Sequence, residues 1–293
     1  MSAETRLPTQ PVAYLSTGAA MWKRFRRNRL ALMGLVIVTL LACAAVFAPH
    51  LAPADPAKQA LQDKRMPPGA KYRLGADEFG RDIVSRLIYG SRVALQVGVV
   101  SVLIALALGV ALGTVAGYAG GAVDEVLMRS LDVLLAFPYL LLAIAIVSAL
   151  GPGLQNTILA VGVWATPGFA RVIRGSVLSI KEQEYVQAAR AIGAGTARIV
   201  LRHVLPNCIS IVIVYSALYM ASAILLEAAL SFLGLGVQPP TPSWGLMVST
   251  GRDFITIAPH IATLPGLAIA VTVLGFNLLG DGLRDALDPK MQL

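Results

Sequence analysis

Charged side chains make up only 14% of this 293-residue chain, so the places where they gather show what chemistry it could do. One gathering is residues 181–206, KEQEYVQAARAIGAGTARIVLRHVLP, with Lys181, Glu182, Glu184, Arg190, Arg198 and Arg202. Charges spread over helix-forming residues between apolar stretches suit a surface that docks a soluble partner, not one that breaks bonds. A second candidate is the lone acid Glu227 in LLEAALSFLGLG. An acid beside a membrane is costly and must face protein or water. Three roles are open to it: a proton or cation relay, a structural hydrogen bond, or a lining residue of a pathway. His50, His203 and His260 stand far apart, and Cys43 and Cys208 lie in or beside apolar runs. That spacing offers neither a metal site nor a disulfide framework. No G-x-x-x-x-G-K-[ST] and no Gly-Lys pair occurs, so the chain has no loop of the P-loop type for ATP phosphates. No H-E-x-x-H and no convincing serine nucleophile motif occurs either.

The elements that must position these residues are membrane helices. A chain 56% hydrophobic with mean hydropathy +0.71 lacks the charge that a soluble domain needs to cover its surface. It reads as one integral, all-α, polytopic membrane domain. A spanning helix needs about 20 apolar residues to cross about 30 Å of hydrocarbon. Residues 30–48 supply the first span, behind the basic run WKRFRRNR, and suit an anchor more than a cleaved leader. Residues 93–118 supply the second. Residues 133–170 carry no charge but are too long for one helix, and GPGLQN at 151–156 breaks them into spans three and four. Residues 204–226 and 257–280 supply the fifth and sixth. Pro138, Pro167 and Pro265 are expected to kink spans three, four and six, and the carbonyls this frees must find protein or a wet cavity. Gly109, Gly113 and Gly117 form a small-xxx-small ladder. It serves packing within this chain or contact with a partner subunit.

Six spans put both termini on one side. With the N-terminus inside, 15 of the 24 Lys and Arg residues fall on inner segments and nine on outer ones, the bias of a cytoplasmic N-terminus. Eight of the outer nine lie in residues 50–92, beside Asp55, Asp63, Asp77, Glu78 and Asp82, and so long a loop crosses with weaker dependence on its charge. The net charge of +8 is read as basic flanks of spans, not as a nucleic-acid footprint. The organisation is a cytoplasmic segment 1–29, a first transmembrane helix 30–48, an external loop 49–92 with an interfacial helix, a five-helix core 93–280 containing loop 181–207, and a cytoplasmic tail 281–293.

Within that loop, Ala188, Ala189 and Ala191 favour helix. Gly193 and Gly195 punctuate it, and Pro206 is expected to stop a second helix. Tyr185, Val186, Ala189 and Ile192 can seat one face, leaving Glu182, Glu184, Gln187 and Arg190 polar. Ala188 and Ala189 are small enough for a partner to come close. Gly193 is expected to need a positive φ or a close approach. The segment resembles the cytoplasmic coupling loop of the permease subunits of binding-protein-dependent ABC importers. The family's Glu-Ala-Ala, Gly and Leu-Pro positions are met by Gln187-Ala188-Ala189, Gly193 and Leu205-Pro206, with Gln187 where Glu is usual. LGADEFGRD at 74–82 resembles the Leu-Gly-Thr-Asp-x-x-Gly-Arg-Asp signature of the dipeptide/oligopeptide/nickel permease subfamily, with Ala76 in place of Thr. Ile83, Val84, Leu87 and Ile88 share a helical face, and Asp82 can pair with Arg86. This stretch reads as an interfacial helix, either a structural wedge or a contact for a substrate-binding protein. QPPTPSWG at 238–245 is too rich in proline for helix and is expected to turn along the outer face, with Trp244 at the interface. GFNLLGDGLRDALDPK at 275–290 resembles the ending of the same subfamily.

The resemblance implies a type I ABC importer permease fold in a bacterial plasma (inner) membrane. It implies a non-catalytic subunit with no cofactor of its own, ATP and Mg being bound by partners. Those partners are a second homologous permease, two ABC ATPases and an extracytoplasmic substrate-binding protein. The implied docking residues are Glu184, Tyr185, Gln187, Ala188, Ala189, Gly193, Arg198, Leu205 and Pro206. Peptides are the leading solute, with nickel, glutathione and sugars as alternatives. The rival class is a proton- or ion-coupled secondary transporter. Such proteins carry ionisable groups within their spans and inverted repeats, whereas five of these six spans hold neither acid nor base.

Overall fold

The computed structural model describes Trp22 and residues 24–287. The readings of residues 1–21, of Lys23 and of the Asp288-Pro289-Lys290 ending lie outside the described residues. Among the described residues the structure is helical, and the β pairing is one isolated bridge between Ala76 and Asp82.

Helix α1 is Arg29–Val46, capped by Asn28, whose side chain accepts from the Leu30 and Ala31 amides and so satisfies two orphan donors. A single turn, Ala48–Leu51, follows. Helix α2 is Ile83–Ala119, 37 residues without interruption. The expected interfacial helix is therefore not a separate element; residues 83–92 are the first turns of α2, and residues 74–82 are a turn closed by the Ala76–Asp82 bridge. Asp82 does not pair with the Arg86 side chain. It is the N-cap of α2, accepting from the Ser85 amide at 2.7 Å and the Ser85 hydroxyl at 2.6 Å. A carboxylate at this position answers the helix's unpaired amides. The Arg86 guanidinium turns instead to Asp77, at 3.3 Å, and to the Pro56 carbonyl.

Helix α3, Gly121–Leu135, and helix α4, Tyr139–Leu150, meet at a bend of 89°. The charge-free run expected to begin the third span at Val133 is instead divided by this bend, its first residues ending α3 and the rest forming α4 from Tyr139. Pro138 breaks the helix outright, because it has no N–H and disfavours helical backbone at Phe137. Helix α5, Leu154–Ile180, follows a turn in which Gly151 and Gly153 have φ of +94° and +144°. Helix α6 is Glu184–Ala191 and α7 is Thr196–Ile199. A π-turn, Val200–Val204, joins α7 to α8, Leu205–Phe232. Pro206 does not stop the second helix of the loop. It sits in the first turn of α8, where its missing amide is tolerated, and the π-turn absorbs the change in hydrogen-bond spacing. Helix α9 is Trp244–Gly251 and α10 is His260–Leu287, which runs past the expected end at Gly280. Trp244 does not face outward. It is buried, lies over Gly90 and donates from Nε1 to the Leu87 carbonyl at 3.0 Å.

Packing decides which helices pair. A Cβ on Gly109 or Gly113 would collide with Phe169 or Ala170, and one on Gly117 would lie 3.0 Å from Val177. The glycine ladder therefore serves contact within this chain, letting α2 lie directly on α5. Helix α10 packs between α1 and α8, and a Cβ on Gly275 would meet Ile37 while one on Gly280 would meet Leu218. Among the described residues four helices are long and apolar enough to cross a membrane (α1, α2, the run from Thr196 to Phe232, and α10), or five if the bent α3–α4 pair counts as one. Helix α5 has the length, 27 residues, but Gln155, Asn156, Thr166, Arg171 and Arg174 dilute its apolar content.

Candidate functional site

Helix α6 carries Glu184 in its first turn and Arg190 in its last, the arrangement that complements the helix dipole. It ends at Gly193, whose φ is +85°. The Gly193 amide donates to the Arg190 carbonyl and the Ala194 amide to the Ala189 carbonyl, a left-handed cap that favours glycine. Nothing lies within 4 Å of where a Gly193 Cβ would be. The positive φ is thus its reason here, not a close approach within the chain.

The inner face of α6 is Val186, fully buried, and Ala189. They pack with Ile173 and Val177 of α5, Ile199 of α7, Val204 and Cys208. Outside the bilayer, burying a side chain such as Val186 stabilises by about 1.5–3 kcal/mol, which fastens α6 to the membrane helices. Lys181 adds a tie, donating from Nζ to the Gly117 carbonyl of α2 at 2.9 Å. Arg174 of α5 grips Asp124 of α3 with two hydrogen bonds. The end of α2, α5 and the start of α8 thus meet at α6, and α3 is tied to α5 beside them.

The outer face differs from the expected one. Ala189 cannot be where a partner comes close, since the inner cluster already covers it. Ala188, its neighbour, is exposed. Tyr185 is 45% exposed and Ile192 is 86% exposed, the most exposed large apolar side chain among the described residues. Tyr185, Ala188 and Ile192 form an outward apolar ridge. Glu182, Glu184, Gln187, Arg190 and Arg198 surround it, all exposed. Gln187 donates to the Glu182 carbonyl at 3.1 Å, a bond that a carboxylate could not make. Leu205 is half-buried and Pro206 exposed, one helix further along. Nothing in residue type marks Ile192 as outward, because an isoleucine is most often an inside residue.

Glu227 lies apart from this site, at the other end of α8, and is buried. It accepts from the Ser231 hydroxyl at 2.7 Å, while the Val237 amide donates to Ser231 at 3.1 Å. The knot ties the end of α8 to the turn that leads to α9, and Ser243 caps α9 through the Leu246 amide. The loop 49–92 has a second buried knot. Arg81 donates to Asp77 at 2.6 Å and to Glu78 at 2.8 Å, and Arg86 faces Asp77. Burial and the neighbouring Asp77 charge push the Glu78 carboxyl above its usual range, while the Lys71 ammonium holds Asp63 below its own. The Ala54 amide donates to Ser85, which pins the loop's start to α2.

Among the described residues, an all-helical bundle with several long apolar helices and a short, capped helix braced against them is the build of a multi-pass membrane protein. Residues 109–293 match the family described as binding-protein-dependent transport system inner membrane component, and residues 16–68 match the N-terminal transmembrane domain of oligopeptide transport permease C. The chain belongs to the binding-protein-dependent transport system inner membrane component family and is a multi-pass permease of the ABC importer type. It is 45% identical over 285 residues to the dipeptide transport system permease protein DppC of Alkalihalophilus pseudofirmus, covering 97% of this chain and 94% of the relative. It is 46% identical over 287 residues to the di/tripeptide transport system permease protein DppC of Pseudomonas aeruginosa, covering 96% and 95%. It is 47% identical over 272 residues to the glutathione transport system permease protein GsiD of Escherichia coli O6:K15:H31, covering 92% and 90%. Its fold is that of a chain of the MetNI methionine ABC transporter in inward facing conformations, with a TM-score of 0.57 at 18% identity over 69% of this chain and 96% of that one.

Proposed function

We propose that this chain forms one half of the path of an ATP-driven importer of short peptides and that α6 is the part its motor pushes. The observation that carries this is the two-sided build of α6, with Val186 and Ala189 locked into the membrane helices and Tyr185, Ala188 and Ile192 left bare. A helix held that way transmits a push on its outer ridge to α2, α5 and α8 together. The partners are two ATPases docked on the ridge, a second homologous permease, and an external binding protein that delivers the solute. ATP and Mg are held and hydrolysed by the ATPases, and this chain contributes contacts that differ between two states. Short peptides are favoured over nickel or sugars because the relatives quoted above carry names for dipeptide, di/tripeptide and glutathione transport.

The topology has six spans with both termini in the cytoplasm, α5 being a span whose polar face is covered by protein or water. Cysteine labelling tests it. With Cys43 and Cys208 replaced by serine, Gln187→Cys should react with an impermeant thiol reagent only from the cytoplasmic side, and Asp63→Cys only from outside. Reversed labelling would refute the docking assignment along with the topology. Peptide uptake by this chain alone in proteoliposomes, driven by a proton gradient, would favour a secondary transporter.

A further inference from the structure

Five aromatic rings meet in the middle of the helical bundle. Tyr139 lies 5.8 Å from Trp164, Trp164 lies 5.8 Å from Tyr219, and Tyr219 lies 5.9 Å from Tyr215. Phe169 backs them at 4.9 Å from Tyr219. Phe169 is buried, Trp164, Tyr215 and Tyr219 are half-buried, and Tyr139 is 53% exposed. The band is thus the face of something open.

Its depth is informative. Tyr139 begins α4, whose far end is at Gly151; Trp164 is ten residues into α5, and Tyr219 is thirteen residues from the end of α8 at Phe232. At 1.5 Å per residue these rings lie roughly 15–20 Å from the ends of their helices at that side of the bundle, near the middle of a hydrocarbon layer about 30 Å thick. Tyrosine and tryptophan facing lipid gather at the headgroups, where the polar tip stays wet. Here the tips cannot reach headgroups. Among the described residues the three phenol hydroxyls and the Trp164 indole N–H have no hydrogen-bond partner in the protein, and the Trp164, Tyr215 and Tyr219 tips are not among the fully buried unpartnered atoms, whereas the buried Trp244 is bonded. A polar group left unpaired against hydrocarbon is costly, so this face meets water or solute.

The neighbours continue the pattern. Gly168, one turn from Trp164, leaves the space that the Tyr219 hydroxyl fills, and Gly175 opens on empty space. Below them Arg171 and Asp132 form an exposed ion pair, which also has no place against lipid. Within the band itself there is no acid or base. By contrast the large exposed side chains of α1 beyond Arg29, Leu30, Met33, Val36, Leu40 and Val46, are apolar, as a lipid-facing stripe should be.

We propose that Tyr139, Trp164, Tyr215 and Tyr219 form a wall of the water-filled solute path at mid-membrane, and that this wall passes amide groups and apolar side chains by ring contact and hydroxyl hydrogen bonds, without fixed charge. The proposal rests on the permease reading above and assigns the contact that reading lacks. Rings and hydroxyls offer every peptide a stacking face and a hydrogen-bond partner. They favour no side-chain charge, so the wall suits a mixed population of short peptides.

The test is thiol accessibility in the assembled transporter, with Cys43 and Cys208 replaced by serine. Trp164→Cys and Tyr219→Cys are each treated with a water-soluble methanethiosulfonate sulfonate, and Leu40→Cys is the lipid-facing control. The expected result is at least tenfold faster reaction at both wall positions than at Leu40→Cys, slowed by excess alanyl-phenylalanine, trialanine or glutathione. Tyr215→Cys reads the same wall if either variant fails to assemble. Wall cysteines no faster than Leu40→Cys would overturn the proposal, showing the band covered by protein. Fast reaction that none of the three peptides slows would overturn the peptide assignment. Failure of the permease reading is seen elsewhere, as wild-type uptake that persists without ATPases.

Discussion

Ile192 offers the sharpest separation between a docking surface and an ordinary loop. It is 86% exposed in the isolated chain. Replacing it with alanine removes three carbons that touch nothing much in this subunit, so folding stability should change by no more than about 0.5 kcal/mol. If a partner buries that side chain, the same three carbons are worth about 0.8 kcal/mol each, or about 2.4 kcal/mol, which is about 50-fold in the docking constant. Val186 gives the opposite expectation. It is fully buried among Ile173, Val177, Ile199 and Val204, and Val186→Ala removes two carbons, at least about 1.6 kcal/mol of folding stability before any cavity cost. The pair of measurements is thermal unfolding of the purified permease and titration of the ATPase onto it. Ile192→Ala should leave the unfolding temperature alone and weaken docking; Val186→Ala should lower the unfolding temperature and weaken docking only as the folded fraction falls. ATPase binding to Ile192→Ala with wild-type affinity would refute the outward ridge as the docking surface.

Gly113→Val should force α2 away from α5, because the first added carbon already collides with the Ala170 carbonyl. The cost is about 1–3 kcal/mol or more, read as lower membrane abundance and earlier thermal aggregation. Asp77→Ala should leave the buried Arg86 guanidinium without its carboxylate and Arg81 with Glu78 alone, at about 3–5 kcal/mol. Trypsin should then cut the external loop at Lys58 or Lys64 faster from outside. Gly193→Ala should cost about 1–2 kcal/mol through its φ of +85° alone, since its Cβ meets nothing within 4 Å. Circular dichroism and uptake should show a loop that is less stable but still docks.

Residue types and spacing alone determined a good deal about this protein. The scarcity of charge implied a membrane bundle, because a soluble surface of this size cannot be built without it. The Gly151–Gly153 turn and the positive φ at Gly193 were legible because local backbone sterics decide them. Helix α6 was legible because alanines, a glycine stop and flanking charges act within a few residues of each other. Local rules failed where the outcome depends on what a segment packs against. Pro206 stops a helix in isolation, yet a π-turn carries the chain through it into α8. Asp82 and Arg86 have the spacing of a pair, but the folded loop brings Asp77 to Arg86 and leaves Asp82 to cap. Trp244 suits an interface by type, yet Gly90, far away in sequence, opens a place for it inside. A glycine ladder says that something comes close, and only the tertiary structure shows that it is α5. Ala189 and Ile192 could each have faced outward. The cluster beneath α6 decides between them, because a helix buries the face for which the rest of the fold has left room.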